Sequence, residues 1–202
     1  MILHLVTALT RLTTAPPQSA EARASLMNQI QQAIAAGVDV VQIREPLLEA
    51  GALASIVEES VERAHGTKTR IIVNDRVDVA LACGAAGVHL KVDSLPAAFV
   101  RPLVPPGFLI GRSVHSIAEA MSAGPVDYLI AGTVWPTTSK TSDVPLLGVE
   151  GLGAVVAAVA VPVVAIGGVT WDRLPLVSAA GAAGAAGIEM FLGRLTLPFS
   201  RS

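Results

Sequence analysis

The chain has one cysteine, Cys83, in 202 residues, which excludes an internal disulfide. Its setting in the apolar helical pattern Val79-Ala80-Leu81-Ala82 reads as a core thiol in a reducing compartment rather than a nucleophile. Charge is scarce too: 15% of residues are charged, the net charge is −2, and Lys and Arg are scattered without a run. That speaks against a grip on nucleic acid or an acidic membrane surface. Uninterrupted apolar stretches of spanning length are also missing. Gly151 to Val169 carries no charge, but Pro162 and the Gly167-Gly168 pair divide it into a helix and a strand. The N-terminal Met1-Ile2-Leu3-His4-Leu5-Val6 lacks a basic leader and alternates like a strand. The expectation is a soluble, cytoplasmic protein.

What the chain does have is apolar bulk, 52% of its residues, enough for one domain with a sizeable core. The pattern switches repeatedly between short β-type runs and longer helical ones. Strand-like runs fall at Ile2 to Thr7, Val38 to Arg44, Arg70 to Val73, Gly87 to Leu90, Phe108 to Ile110, Asp127 to Gly132, Pro162 to Gly168 and Ala185 to Glu189. Helical patterns lie between them, the first from Ser19, its N-cap, to Gly37, its stop. About eight β–α alternations with buried parallel-type strands predict a single-domain (β/α)8 TIM barrel over residues 1–202. An open doubly wound sheet is the alternative, but no Gly-x-Gly-x-x-Gly follows the first strand.

In such a barrel every strand points its C-terminal end to one face, which carries the chemistry. Polar residues fall there repeatedly: Gln42 and Arg44, Asn74 and Asp75, His89, Ser113 and His115, Thr133 and Lys140. His115 lies in the central stretch Gly111-Arg112-Ser113-Val114-His115-Ser116, between a buried strand and a helix, where an imidazole could exchange protons near neutrality. The structural alternative makes this a capping turn, with Ser113 or Ser116 as N-cap. Arg44 could clamp a carboxylate or phosphate, or simply pair with Glu45. Asn74-Asp75 reads first as a helix cap, one carboxylate being a weak Mg²⁺ signal. His89 is expected to pack under the rim. Lys140 sits in a polar loop, Trp135 to Ser142, long enough to be a lid or ligand clamp. Gly167-Gly168, with Ile188 and Glu189 after the last strand, falls where barrels commonly bind phosphate, although a tight turn would need the glycines as well.

Together these residues resemble the thiamine phosphate synthase/TenI superfamily. Val41-Gln42-Ile43-Arg44-Glu45, Val73-Asn74-Asp75-Arg76-Val77-Asp78, Gly87-Val88-His89-Leu90, Pro136-Thr137-Thr138-Ser139-Lys140, Ala165-Ile166-Gly167-Gly168 and Gly181-Ala182-Ala183-Gly184 carry the likeness across nearly the whole chain. The resemblance implies one of two activities. A synthase joins hydroxymethylpyrimidine diphosphate to thiazole phosphate and releases pyrophosphate with Mg²⁺. Its motif is similar to Gln-x-Arg-Glu-Lys, but Pro46 stands in place of the lysine; its second Mg²⁺ aspartate would fall at Ser94, with Asp93 one position early. A TenI-like tautomerase instead aromatises a carboxythiazoline phosphate without a cofactor, and resembles this chain in the stretch containing His115.

On those departures the leading expectation is the tautomerase. His115 would serve as general acid and base, Arg44 or Lys140 would hold the carboxylate, and Gly167, Gly168 and Ile188 the phosphate. Gln42, Asn74, Ser113 and Thr133 complete the expected substrate contacts. Glu189, where the superfamily usually has a small residue, would repel a phosphate unless turned away. Mg²⁺ at Asp75 belongs only to the synthase reading, and a non-catalytic thiazole-phosphate-binding regulator is the third. By analogy alone, a homodimer through barrel helices is the assembly to test.

Overall fold

A computed structural model describes residues 1–137 and 145–193. Its eight parallel strands close into a barrel in sequence order. They are β1 (Ile2–Val6), β2 (Val40–Ile43), β3 (Arg70–Asn74), β4 (Gly87–Leu90), β5 (Leu109–Val114), β6 (Tyr128–Ala131), β7 (Val163–Ala165) and β8 (Gly184–Gly187). The intervening helices are α1 (Ala20–Ala35), α2 (Ala50–Ala64), α3 (Val77–Ala82), α4 (Ala97–Val100), α5 (Ile117–Met121), α6 (Gly148–Ala158) and α7 (Leu174–Ala179). This is the predicted (β/α)8 barrel, closed by β1 against β8 with His4 beside Ala186.

Local chemistry sets the boundaries. Ser19 caps α1 by accepting the Ala22 N–H at 3.1 Å, and Gly37, at φ +71°, ends it. Ser116, not Ser113, caps α5 by accepting the Glu119 N–H at 3.1 Å. A turn over residues 46–48, closed by the Leu48 N–H on the Glu45 carbonyl at 3.1 Å, separates β2 from α2, which begins at Ala50.

Period-two alternation divides each strand between two layers. Leu3, Leu5, Val41, Ile43, Ile71, Val73, Val88 and Leu90 join the buried layer shared with the helices. The inward positions differ on the two sides of the barrel. Val6, Ile130, Val164 and Ala186 make a small apolar cluster. The β2–β5 side carries Gln42, Asn74, His89 and Ser113 instead. No helix among the described residues is long and apolar enough to cross a membrane. Cys83 is a half-buried free thiol, raised in pKa chiefly by burial.

Candidate active site

The inward side chains build the floor upward from the barrel interior. His4 donates through Nε2 to Gln42 Oε1 at 3.0 Å, and Gln42 Nε2 donates to Asn74 Oδ1 at 2.9 Å. Across the interior, His89 Nε2 lies 2.8 Å from Ser113 Oγ and its Nδ1 3.2 Å from the Tyr128 hydroxyl. The His4 and His89 rings are 6.5 Å apart, with Tyr128 against both. Gly111 makes this possible: a Cβ there would stand 2.0 Å from the Tyr128 ring. Burial holds His4 down to about 4, and burial together with the His4 charge holds His89 down to about 3. Both rings are therefore neutral near pH 7, and burial keeps the Tyr128 phenol protonated.

Above this floor opens a cavity of about 610 Å³ at the C-terminal ends of the strands. Gln42, Arg44, Asn74, His89, Ser113, His115, Thr133, Gly167, Gly168, Ile188 and Glu189 all line it, whereas Asp75 does not. Lys140 lies outside the described residues, as do Thr138, Ser139 and the end of the chain beyond Gly193.

Several expected pairings are corrected. Glu45 does not neutralise Arg44 through a rim contact. It is buried, accepting from Thr7 Oγ1 at 2.6 Å and from the Leu9 N–H at 3.0 Å, while Arg44 stays exposed at the cavity. Burial raises the Glu45 pKa. Asp75 does not cap α3, whose N-cap is Arg76 without a side-chain bond. At φ +64°, a conformation costly for a residue with a Cβ, Asp75 instead accepts the Ser94 hydroxyl on Oδ1 and pairs with Lys91 through Oδ2 at 3.1 Å. Glu189 lines the cavity beside Ile188, and Arg11 Nη2, 2.5 Å from its carboxylate, balances its charge.

The glycine pair is required by the turn and lines the cavity. Gly167 and Gly168 have φ of +92° and +61°, and a Cβ would meet Thr133 Cγ2 at 2.4 Å or Pro136 O at 2.5 Å. Only glycine fits, and the loop after β6 closes directly over it.

Sequence reasoning passed over Lys91. His89 points inward and Leu90 outward, so carrying the strand period one residue past β4 places Lys91 on the cavity side. Asp93, discounted as one position early, lines the cavity with it, its Oδ1 3.5 Å from Lys91 Nζ. The turn that closes when Ser94 Oγ accepts the Lys91 N–H at 2.8 Å brings it there. Arg11 gave no signal, because its partner Glu189 is distant in sequence.

The tautomerase expectation rested on the lysine replaced by Pro46, on the missing second carboxylate and on His115 as acid and base. Asp93 lines the cavity, and so does His115, which is held to Glu119 Oε2 through its backbone N–H at 2.7 Å and its Nδ1 at 3.3 Å, an arrangement open to either activity. Comparison with known proteins separates the two. The chain is 44% identical over 164 residues to the thiamine-phosphate synthase of Methanoregula boonei, covering 80% of this chain and 76% of that one. It is 43% identical over 163 residues to the thiamine-phosphate synthase of Methanoculleus marisnigri, covering 80% and 77%. Among solved structures, thiamine phosphate pyrophosphorylase from Pyrococcus furiosus superposes with a TM-score of 0.80 at 31% identity, covering 96% of this chain and 89% of that one. These relatives overturn the tautomerase assignment and the particular closeness to TenI. The model of the family described as thiamine monophosphate synthase matches residues 13–191, and the chain belongs to that family.

Proposed function

We propose that this protein is a thiamine-phosphate synthase, a transferase that joins hydroxymethylpyrimidine diphosphate to thiazole phosphate and releases pyrophosphate. The observation that carries the reading is the rim of the cavity. Lys91 and Asp93 line it with Arg44, and Asp75, which does not line it, pairs with Lys91 from the end of β3, while Gly167-Gly168 and Ile188 sit on the far wall. One end suits a diphosphate and the other a single phosphate.

In the reaction the methylene–oxygen bond of the diphosphate breaks, and its electron pair leaves with the pyrophosphate. The thiazole nitrogen lone pair forms the new bond to the methylene carbon. Arg44 offers a planar fork to the departing oxygens, lowering the cost of the charge that develops there. Gln42, Asn74 and Ser113 would present amide and hydroxyl groups to the pyrimidine ring, Gln42 oriented by His4, Asn74 by Gln42 and Ser113 by His89. The neutral His89 keeps a positive charge away from the floor, so the pyrophosphate is drawn to the rim. Gly167, Gly168 and Ile188 would hold the thiazole phosphate, with Thr133 lining the same cavity, and Lys140 is the expected further contact.

The donor set at the rim fits Mg²⁺. Two carboxylates already converge on one cation, the Lys91 ammonium, and Mg²⁺ needs only one or two carboxylates besides water and phosphate oxygens. Asp75 and Asp93 would hold the ion, which when bound would neutralise the leaving pyrophosphate.

The test is a coupling assay with hydroxymethylpyrimidine diphosphate, thiazole phosphate and Mg²⁺. Thiamine phosphate and pyrophosphate should appear in equal amounts, and chelation should stop both. Binding of both substrates without product would overturn the reading.

A further inference from the structure

We propose that Lys91 and a divalent cation share the same two carboxylate partners, so that an ion entering between Asp75 and Asp93 hands the Lys91 ammonium over to the pyrophosphate. Lys91 thereby becomes a specificity residue for the diphosphate, supplying the cation that Pro46 removes from the motif after β2. This rests on the synthase reading.

Three observations lead there. The first is position: Lys91 follows His89 on the inward alternation and lines the cavity together with Arg44 and Asp93. The second is its partners, which are the residues that would hold the ion. Nζ is 3.1 Å from Asp75 Oδ2 and 3.5 Å from Asp93 Oδ1. The third is how lightly it is held. Its side chain is 45% exposed and that of Asp93 79%, so the pairs are weak and exchangeable. Asp75 itself is fixed, by the Ser94 hydroxyl and by its left-handed backbone. The carboxylate stays in place while the ammonium, on a flexible four-carbon stem, can leave.

Charge gives the exchange its direction. Asp75, Asp93 and Lys91 together are net negative, and with Arg44 at the same cavity the charges only cancel, which gives a diphosphate no net attraction. Adding a divalent ion makes the same group net positive and frees the ammonium for phosphate oxygens. Metal and diphosphate would then bind in order, the metal first.

The experiment measures binding rather than turnover, on the intact chain. Mn²⁺ is titrated into the metal-free protein, and inorganic pyrophosphate into the protein with Mg²⁺, for the unaltered chain, Lys91→Gln and Lys91→Arg. Lys91→Gln should bind Mn²⁺ about fivefold more tightly, as expected for removing one exposed competing pair. It should bind pyrophosphate about tenfold more weakly, through loss of a charge-assisted contact. Lys91→Arg keeps a cation and should restore most of the pyrophosphate affinity, which a mere fold defect would not allow. Unchanged or weaker Mn²⁺ binding by Lys91→Gln would make Lys91 a structural brace and overturn the proposal, as would unchanged pyrophosphate binding. Should the unaltered protein take up Mn²⁺ but no pyrophosphate, the synthase reading falls and takes the hand-over with it.

Discussion

His4 and His89 are the residues on which the interior turns. Each is almost wholly buried, and each is held well below the ordinary histidine value of 6.5. The unfolded chain therefore takes up these two protons before the folded one does. Their contribution is complete above about pH 6.5 and is lost as the pH falls toward about 4 and below. At about 1.4 kcal/mol per pKa unit, protonating the pair costs the fold on the order of several kcal/mol. Urea midpoints should fall steeply between pH 7 and pH 4.5, and His4→Gln should flatten the curve. A midpoint independent of pH would show that the rings are hydrated or already charged. Short-range alternation could have placed both rings, since His4 and Val6 share one face of β1. What no local pattern reveals is the partner, because Gln42, Ser113 and Tyr128 come from other strands.

The elements were the most legible part of the chain, and loops the least. Most strand positions follow from short apolar runs rich in β-branched residues, β8 with its glycines and alanines being the exception, and α1 from a serine cap and a stopping glycine, which local chemistry dictates. The rim is less legible: the Lys91–Ser94 bond closes a turn that leaves both Lys91 and Asp93 at the cavity, which counting residues along a motif does not reveal. The short helix α5 shows what a cap contributes. It has five residues, and Ser116 and Glu119 tie its first turn together, Glu119 also holding His115. Ser116→Ala should cost about 1 kcal/mol of stability in urea denaturation. An unaltered midpoint would mean that tertiary packing alone keeps the helix.

For the whole molecule, closure depends on very close strand approach at the β1–β8 seam. A Cβ on Gly184 would lie 2.3 Å from the carbonyl oxygen of Ile2, and backbone cannot yield there as a side chain can. Gly184→Val should therefore lower the unfolding free energy by about 3 kcal/mol or more, with a matching loss of soluble protein. Gly51→Ala in α2, where nothing lies within 4 Å, should be neutral or slightly stabilising in the same measurement. Equal midpoints for the two variants would contradict the steric account of the seam. The polar interior has a different consequence, for how such a protein can change over generations. Gln42, Asn74 and Ser113 line the cavity, yet they are tied, Asn74 through Gln42, to His4 and His89 in the middle of the barrel. On the synthase reading, recognition and folding draw on one set of bonds, so a lineage cannot retune one ring contact without leaving a buried group unmatched. New specificity in this barrel has to arrive as paired substitutions, one at the floor and one beneath it.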